Sequence, residues 1–184
     1  DWFAENLNWG GAGASYANSK AAADIFGRYY TWEDATGGVS ASGLGAGAQG
    51  VCPDGWSIPT NEDWLDLAHA IAGNNEAKFE EKWANIANDL VGEIYMNGKK
   101  IWGYSPYVFP TNKYGWNALP SGSCYDDYSQ FKNMNSYGMW WSCTQNDNST
   151  AFYRYIYKDY PDVAVATNTK NALGVSVRCV RLSK

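Results

Sequence analysis

Histidine is nearly absent from this chain: His69 is the only one in 184 residues. Serine-nucleophile catalysis needs an imidazole base, so His69 is the sole candidate for that role. It sits one position beyond a helical stripe of Trp64, Leu67 and Ala68, where a hydrogen-bonded helix-face histidine is the simpler reading. Clusters of Lys or Arg are also missing, and the net charge is −5. Both facts disfavour a nucleic-acid or anionic-membrane partner. No apolar run approaches the roughly 18 residues of a membrane span. The opening Asp1-Trp2-Phe3 carries no export signal, which says nothing about export. No C-x-x-C spacing occurs among Cys52, Cys124, Cys143 and Cys179. An even cysteine count without that spacing, and with one histidine, argues for two disulfides over a zinc site. Oxidised pairs place a protein outside the cytosol.

What the chain has in abundance is aromatic surface. Ten Trp and fourteen Tyr make up most of its 16% aromatic content. Both side chains join a large contact area to a polar handle. Most of the Trp are expected in the core, and most of the Tyr at least partly exposed. The length suits one domain able to bury a core without a metal.

Residues 37–50 contain six Gly and read as a flexible loop after a short element around Tyr29 to Thr36. Thr60, following Pro59, is a plausible N-cap, and Glu62 and Asp63 place acids in a first helical turn. Trp64, Leu67, Ala68 and Ile71 continue at helical spacing until Gly73. A second helix is expected from about Glu76 to Leu90, with Phe79, Trp83, Ile86, Ala87 and Leu90 as its apolar stripe. Candidate strands are Gly138 to Thr144, Ala151 to Lys158, Val163 to Thr167 and Val175 to Leu182. In the second of these, Phe152, Arg154 and Ile156 alternate with Tyr153, Tyr155 and Tyr157, so one set should pack and the other remain accessible. Val175, Val177, Cys179 and Arg181 should share one face of the last strand. Helices followed by antiparallel strands imply an α+β domain.

Candidate catalytic carboxylates occur only as sequence neighbours: Glu33/Asp34, Glu62/Asp63, Glu80/Glu81 and Asp126/Asp127. A glycosidase needs two carboxylates facing each other across a cleft, which adjacency does not predict. Asn146, Asp147 and Asn148 could offer oxygens to calcium. That ion takes about six to eight ligands, and a polar hairpin turn explains the segment as well.

Six blocks together resemble a known family. They are Trp2-Phe3-Ala4-Glu5-Asn6-Leu7-Asn8; Gly27-Arg28-Tyr29-Tyr30-Thr31-Trp32-Glu33-Asp34-Ala35; and Cys52-Pro53-Asp54-Gly55-Trp56-Ser57-Ile58-Pro59-Thr60 with Glu62 and Trp64. Then come Gly115-Trp116-Asn117-Ala118-Leu119-Pro120-Ser121-Gly122, Trp140-Trp141-Ser142-Cys143-Thr144, and Val175-Ser176-Val177-Arg178-Cys179-Val180-Arg181. In this order they are similar to the Fibrobacter succinogenes major paralogous domain of Bacteroidetes surface proteins. That family is in turn similar to C-type-lectin-like domains of the formylglycine-generating-enzyme-like branch.

The resemblance implies a C-type-lectin-like fold: two main helices on small twisted antiparallel sheets, long irregular loops, and chain ends close together. It implies one domain over residues 1–184, with the first strand shortened and a longer surface protein as context. It also implies a Cys52–Cys179 bridge. Cys124 and Cys143 depart from the family pattern, which suggests a second bridge between them. Calcium-dependent sugar sites are not matched, since Gln145-Asn146-Asp147 and Pro161-Asp162 stand in the wrong order. The expected function is a non-catalytic, exported recognition module at a cell surface, such as a pilus tip or lipoprotein. Its partner would be a protein or glycan, and it would use no metal or other cofactor. Tyr153, Tyr155, Tyr157, Tyr160, Asn146, Asp147, Asn168 and Asn171 are the candidate ligand face. Tyr with Asn and Ser is a composition suited to adaptable binding surfaces. Some similar domains have this region diversified by a retroelement, and the composition of 145–172 is compatible with that. The alternatives are a formylglycine-generating-type oxidase using Cys124 and Cys143, and a structural subunit with no ligand of its own.

Overall fold

The computed structural model describes residues 1–9, 12–102, 108–125 and 127–182. Three helices occur among them: α1 (Lys20–Phe26), α2 (Trp32–Thr36) and α3 (Asn61–Ala72). The strands are β1 (Ala14–Ser15), β2 (Arg28–Thr31), β3 (Tyr95–Met96), β4 (Lys99–Lys100), β5 (Ser123–Tyr125), β6 (Gln130–Lys132), β7 (Tyr137–Gln145), β8 (Thr150–Tyr157), β9 (Ala164–Thr169) and β10 (Gly174–Val175). They form a five-stranded sheet in the order β1-β2-β10-β5-β6, a three-stranded sheet β7-β8-β9 and the hairpin β3-β4. All the strand pairings are antiparallel, and the architecture is mixed α and β with small curled sheets. No described helix is long and apolar enough to cross a membrane.

Helix α3 starts where its capping residues dictate. The Thr60 hydroxyl accepts from Asp63 N, and the Asp63 carboxylate accepts from Thr60 N at 2.9 Å. This reciprocal box satisfies donors that a first turn leaves open. Gly73, in the left-handed region at φ 72°, closes the helix. Trp64 and Ala68 face inward.

The glycine-rich stretch 37–50 is not loose. Gly43 N donates to Glu62 Oε2 at 2.9 Å, Gly45 N to Asp63 Oδ1 at 2.8 Å, and Ile58 N to Ala48 O at 2.9 Å. Glycine serves close approach here: a Cβ on Gly47 would stand 1.9 Å from Ile58 O.

The expected helix over 76–90 does not form; its only helical piece is a 3-10 turn at Ala87–Asp89. The apolar stripe is buried as expected at Trp83, Ile86, Ala87 and Leu90. The backbone, however, is engaged elsewhere. Trp83 and Val163 exchange two backbone bonds of 2.8 and 3.0 Å, and Ala87 N donates to Pro161 O. Arg154 on β8 donates to the carbonyls of Phe79 and Glu81, and its guanidinium lies 3.5 Å from the Trp83 ring centroid. Carbonyls held this way cannot serve a helical ladder.

Two main core clusters lie on either side of the β7-β8-β9 sheet. One gathers Tyr30, Trp32, Ile58, Trp141, Val175 and Val177 around Cys52 and Cys179. The other gathers Trp64, Trp83, Trp102, Trp116, Trp140 and Ile156. Seven of the ten Trp are buried: Trp32, Trp64, Trp83, Trp102, Trp116, Trp140 and Trp141. The last candidate strand shortens to β10 plus isolated bridges at Ser176 and Val180. Its alternation survives: Val175, Val177 and Cys179 enter the first cluster, while Arg178 turns the other way. Phe3 N donates to Cys179 O at 3.0 Å and Leu7 N to Val177 O at 2.8 Å, so residues 1–7 run beside 177–181.

Arg178 is fully buried. It donates to the carbonyls of Phe3, Trp116 and Asn117 and to Asn6 Oδ1, and packs on the Trp116 ring at 3.9 Å. Asn6 Oδ1 also accepts Trp140 Nε1 at 2.8 Å. Three of the six sequence blocks therefore meet at one guanidinium, and a fourth joins through Asn6.

Cys52 and Cys179 form the disulfide, closing a separation of 127 residues. The expected Cys124–Cys143 bridge is absent, and both residues remain buried thiols. Strand parity explains this. Val175 and Tyr30 are cross-strand partners in the first cluster, whereas Cys124 pairs with Gly174, one position out of phase, and points away. Cys143 lies inside that cluster, its Sγ accepting from Ala48 N at 3.3 Å.

Thiol titration without reductant is therefore expected to find two thiols per unfolded chain and almost none in the folded one. Replacing Cys52 and Cys179 by Ser should cost about 4–5 kcal/mol in denaturant unfolding, the loop-entropy figure for a closure of this size. Arg178→Met should cost at least about 3 kcal/mol, because several buried acceptors lose a donor at about 1–3 kcal/mol each.

Candidate functional site

Strand β8 separates two environments by alternation. Phe152 meets Phe79 edge-on at 5.1 Å, Arg154 meets Trp83, and Ile156 enters the second cluster. Tyr153, Tyr155 and Tyr157 take the opposite face and are half-buried. Register with β7 sets Tyr153 against Trp141, Tyr155 against Met139 and Tyr157 against Tyr137. On the other flank β9 offers only Ala166 beside Tyr153 and Ala164 beside Tyr155. Small partners there leave the phenol rings partly accessible, while Tyr137, Tyr153 and Tyr155 also pack against the first core cluster.

The rings form a continuous run. Centroid separations are 5.8 Å for Tyr153–Tyr155, 5.9 Å for Tyr137–Tyr155, 4.6 Å for Tyr137–Tyr157 and 5.7 Å for Tyr157–Tyr160. At its outer end lies a cavity of about 300 Å³ lined by Tyr137, Tyr155, Tyr157, Tyr160, Ala164, Lys82 and Asp162. The Lys82 ammonium stands 3.6 Å from Asp162. Tyr160 is 59% exposed at the rim. Asp159 accepts a hydrogen bond from Tyr157, which pulls its carboxyl pKa down and pushes the phenol up. Burial, and then the phenols of Tyr155, Tyr125 and Tyr137, raise Tyr153 to about 12.

The eight sequence-derived candidates do not form one site. Tyr153, Tyr155, Tyr157 and Tyr160 lie together. Asn146 and Asp147 sit in the turn before Thr150, Asn168 pairs with Ala151, and Asn171 follows β9. Thr150 and Tyr157 are seven residues apart along β8, or about 24 Å at the usual strand rise. Asp147 Oδ1 accepts from Ser149 N, Thr150 N and Thr150 Oγ1 at 2.8–2.9 Å, bonds that lower its pKa and make it a turn-former. No group of three or more His, Cys, Asp or Glu suited to a metal occurs among the described residues. His69 Nε2 lies 2.8 Å from Ala77 O; a carbonyl only accepts, so Nε2 carries the proton. Asp126 of the acidic pairs falls outside the described residues.

Sequence reasoning missed Tyr137, Lys82 and Asp162. Extending the Gly138 to Thr144 strand by one residue would have put Tyr137 in phase with Met139 and Trp141. Nothing local signals Lys82 or Asp162, because the refusal of 76–90 to form a helix brings them together. A larger hollow of about 750 Å³ lies between Gly45, Gly47 and Gln49 and the pair Trp56–Arg181. Arg181 is stacked on Trp56 at 4.4 Å there, and Asp1, Ser57 and Leu182 also line the space.

Fold and site thus define a disulfide-bridged α+β domain with a tyrosine-lined surface cavity. The chain matches the model of the Fibrobacter succinogenes major domain over residues 1–181, and it belongs to that family. No curated protein and no solved structure matches it.

The raised Tyr153 pKa has a sign for stability. The folded phenol keeps its proton to about 12, while the unfolded one ionises near 10. Its contribution is intact below about 10 and is lost as pH rises through 12. Tyr29 and Tyr128 are shifted the same way, chiefly by burial. Unfolding free energy should fall across that window, while absorbance titration shows a late-ionising set of tyrosines.

Proposed function

We propose that this chain is a non-catalytic, exported recognition module of C-type-lectin-like architecture on a bacterial cell surface. Tyr153, Tyr155, Tyr157 and Tyr160 form its ligand face. The observation that carries the reading is the run of tyrosine rings over the 300 Å³ cavity, assembled from β7, β8 and the turn at residue 160. Tyrosine supplies rigid contact area at low entropic cost, with a hydroxyl to orient a partner. Tyr137, Tyr153, Tyr155, Tyr157 and Tyr160 all lie outside the six blocks that hold the scaffold, which suits a display surface on a fixed frame. The partner class is a protein or glycan. Asn146, Asp147, Asn168 and Asn171 flank the far end of the same sheet, and region 145–172 is the part open to diversification.

The oxidase alternative would need Cys124 and Cys143 within reach of each other. They project to different sides of the structure, and burial raises the Cys143 pKa, away from the reactive thiolate.

Arrays of glycans and of surface-protein peptides are the direct test. A ligand of this face should lose at least about tenfold in affinity in Tyr157→Ala/Tyr160→Ala, the scale of a binding hot spot. Tyr160→Ala alone should hardly move the unfolding midpoint, since Tyr160 is exposed, so a loss of binding in that single variant reports on the face and not on folding. Ligands whose binding is indifferent to Tyr153, Tyr155, Tyr157 and Tyr160 would remove the face assignment.

A further inference from the structure

Strand β9 is the outer strand of the β7-β8-β9 sheet, while β7 is bridged on its far side to Ser176. Successive residues of an antiparallel strand turn their backbone groups to opposite edges. In β9 both ends fix which residues face which way. Lys170 N reaches inward to Ser149 O, just before β8, at 3.1 Å. Val163 faces outward and exchanges two bonds with Trp83. Ala164, Ala166 and Asn168 therefore bond to β8, and Val165, Thr167 and Thr169 turn outward. Asn168 Oδ1 caps Thr169 N at 2.7 Å. The outward N–H and C=O groups of Val165 and Thr167 have no partner among the described residues.

The segment that pairs at Val163 does not go on to cover them. Lys82, the residue before Trp83, lines the cavity with Ala164. Glu81 then leaves the sheet: its N–H donates to Lys78 O, and its C=O accepts from Arg154. Sheet edges are usually guarded by charge, proline or shortness. The other outer strands follow that rule, since β6 includes Lys132, β4 is Lys99–Lys100 and β1 has two residues. Strand β9, over Ala164–Thr169, contains no charged residue and no proline.

We infer that the edge of β9 at Val165 and Thr167 takes an extended polypeptide segment as a fourth strand of this sheet. This rests on the tyrosine face being the ligand site, and it selects a protein partner over a glycan. Only a main chain offers alternating donors and acceptors at the spacing of the open edge. The segment's residue opposite Ala166 would set its side chain on the tyrosine face, with only Ala166 between it and Tyr153. A second copy of β9 fits less well. Laid antiparallel across Thr167, it would carry its own Thr169 opposite Val165 and run on into Trp83. The partner segment is therefore one that ends or bends away before Val163.

Amide hydrogen exchange tests the edge first in the free protein, where Val165 and Thr167 should exchange faster than Ala164 and Ala166. The probe is then a short linear peptide selected from a random display library on the intact protein. Its binding should slow exchange at Val165 and Thr167. Thr167→Pro removes only an outward N–H, so it should keep the unfolding midpoint and lose at least about tenfold in peptide affinity. Ala166→Pro should lower the midpoint, because that N–H serves β8. Methylating alternate amides of the peptide should abolish binding in one phase and spare it in the other. Equal exchange at all four amides overturns the inference. So does peptide binding indifferent to Thr167→Pro, a chain that selects glycans and no peptide, or self-association that Thr167→Pro abolishes. If the ligands found still depend on Tyr160 in that case, only the strand addition fails. If they ignore Tyr160 as well, the functional reading fails with it.

Discussion

Two guanidinium groups buried without a carboxylate hold this fold together. Arg178 is completely enclosed, and burial pulls its pKa down to about 9. It remains charged at neutral pH because its environment is made of acceptors: three backbone carbonyls and the Asn6 amide oxygen. Arg154 repeats the arrangement with the carbonyls of Phe79 and Glu81, between the rings of Phe79 and Trp83. A chain with this much irregular backbone carries many carbonyls that no ladder satisfies. The planar five-donor head of Arg can serve several at once, and its face stacks on an aromatic ring. Lysine would do neither as well.

This explains how short elements yield a fixed core. The strands of the five-stranded sheet hold two to four residues each, too few to be stable by pairing alone. Arg178 ties residues 3 and 6 to residues 116 and 117, and Asn6 links Trp140 to the same point. Trp116 meets Trp140 edge-on at 5.0 Å and packs with Trp64 and Trp2. The Cys52–Cys179 bridge fixes the neighbouring position of the same terminal segment. Sequence blocks scattered from residue 2 to residue 181 are thus parts of one cluster around the last strand.

What could be read from sequence was whatever local chemistry decides. Thr60 with Asp63 specified the start of α3, and alternation along β8 sorted the tyrosines from Arg154 and Ile156. The Cys52–Cys179 pairing came through the family resemblance. The failures are all cases where a distant partner overrode a local pattern. The 76–90 stripe has helical spacing, but Arg154 and Val163 take its backbone. The Gly-rich loop looked free, yet α3 acids bind its amides. Cys124 and Cys143 looked paired until sheet register set them on different faces.

Those failures are also the origin of the site. Arg154 holds the carbonyl of Glu81, and Lys82 is the next residue along. Val163 pairs with Trp83, and Asp162 is the residue before it, with its carboxylate accepting Asn85 N at 3.2 Å. The contacts that prevent a helix therefore place Lys82 and Asp162 at the mouth of the cavity. On the opposite face of the same strand, Tyr155 and Tyr157 supply its walls. A helix through 76–90 would have satisfied the same apolar stripe, but its backbone could not then have paired with Val163 and Pro161. The irregular chain gives up helical hydrogen bonds for two arginine-held ones and three backbone bonds to Val163 and Pro161. In exchange, one strand anchors the second core cluster on one side and, on the other, sets half-buried tyrosine rings against the rim of the first.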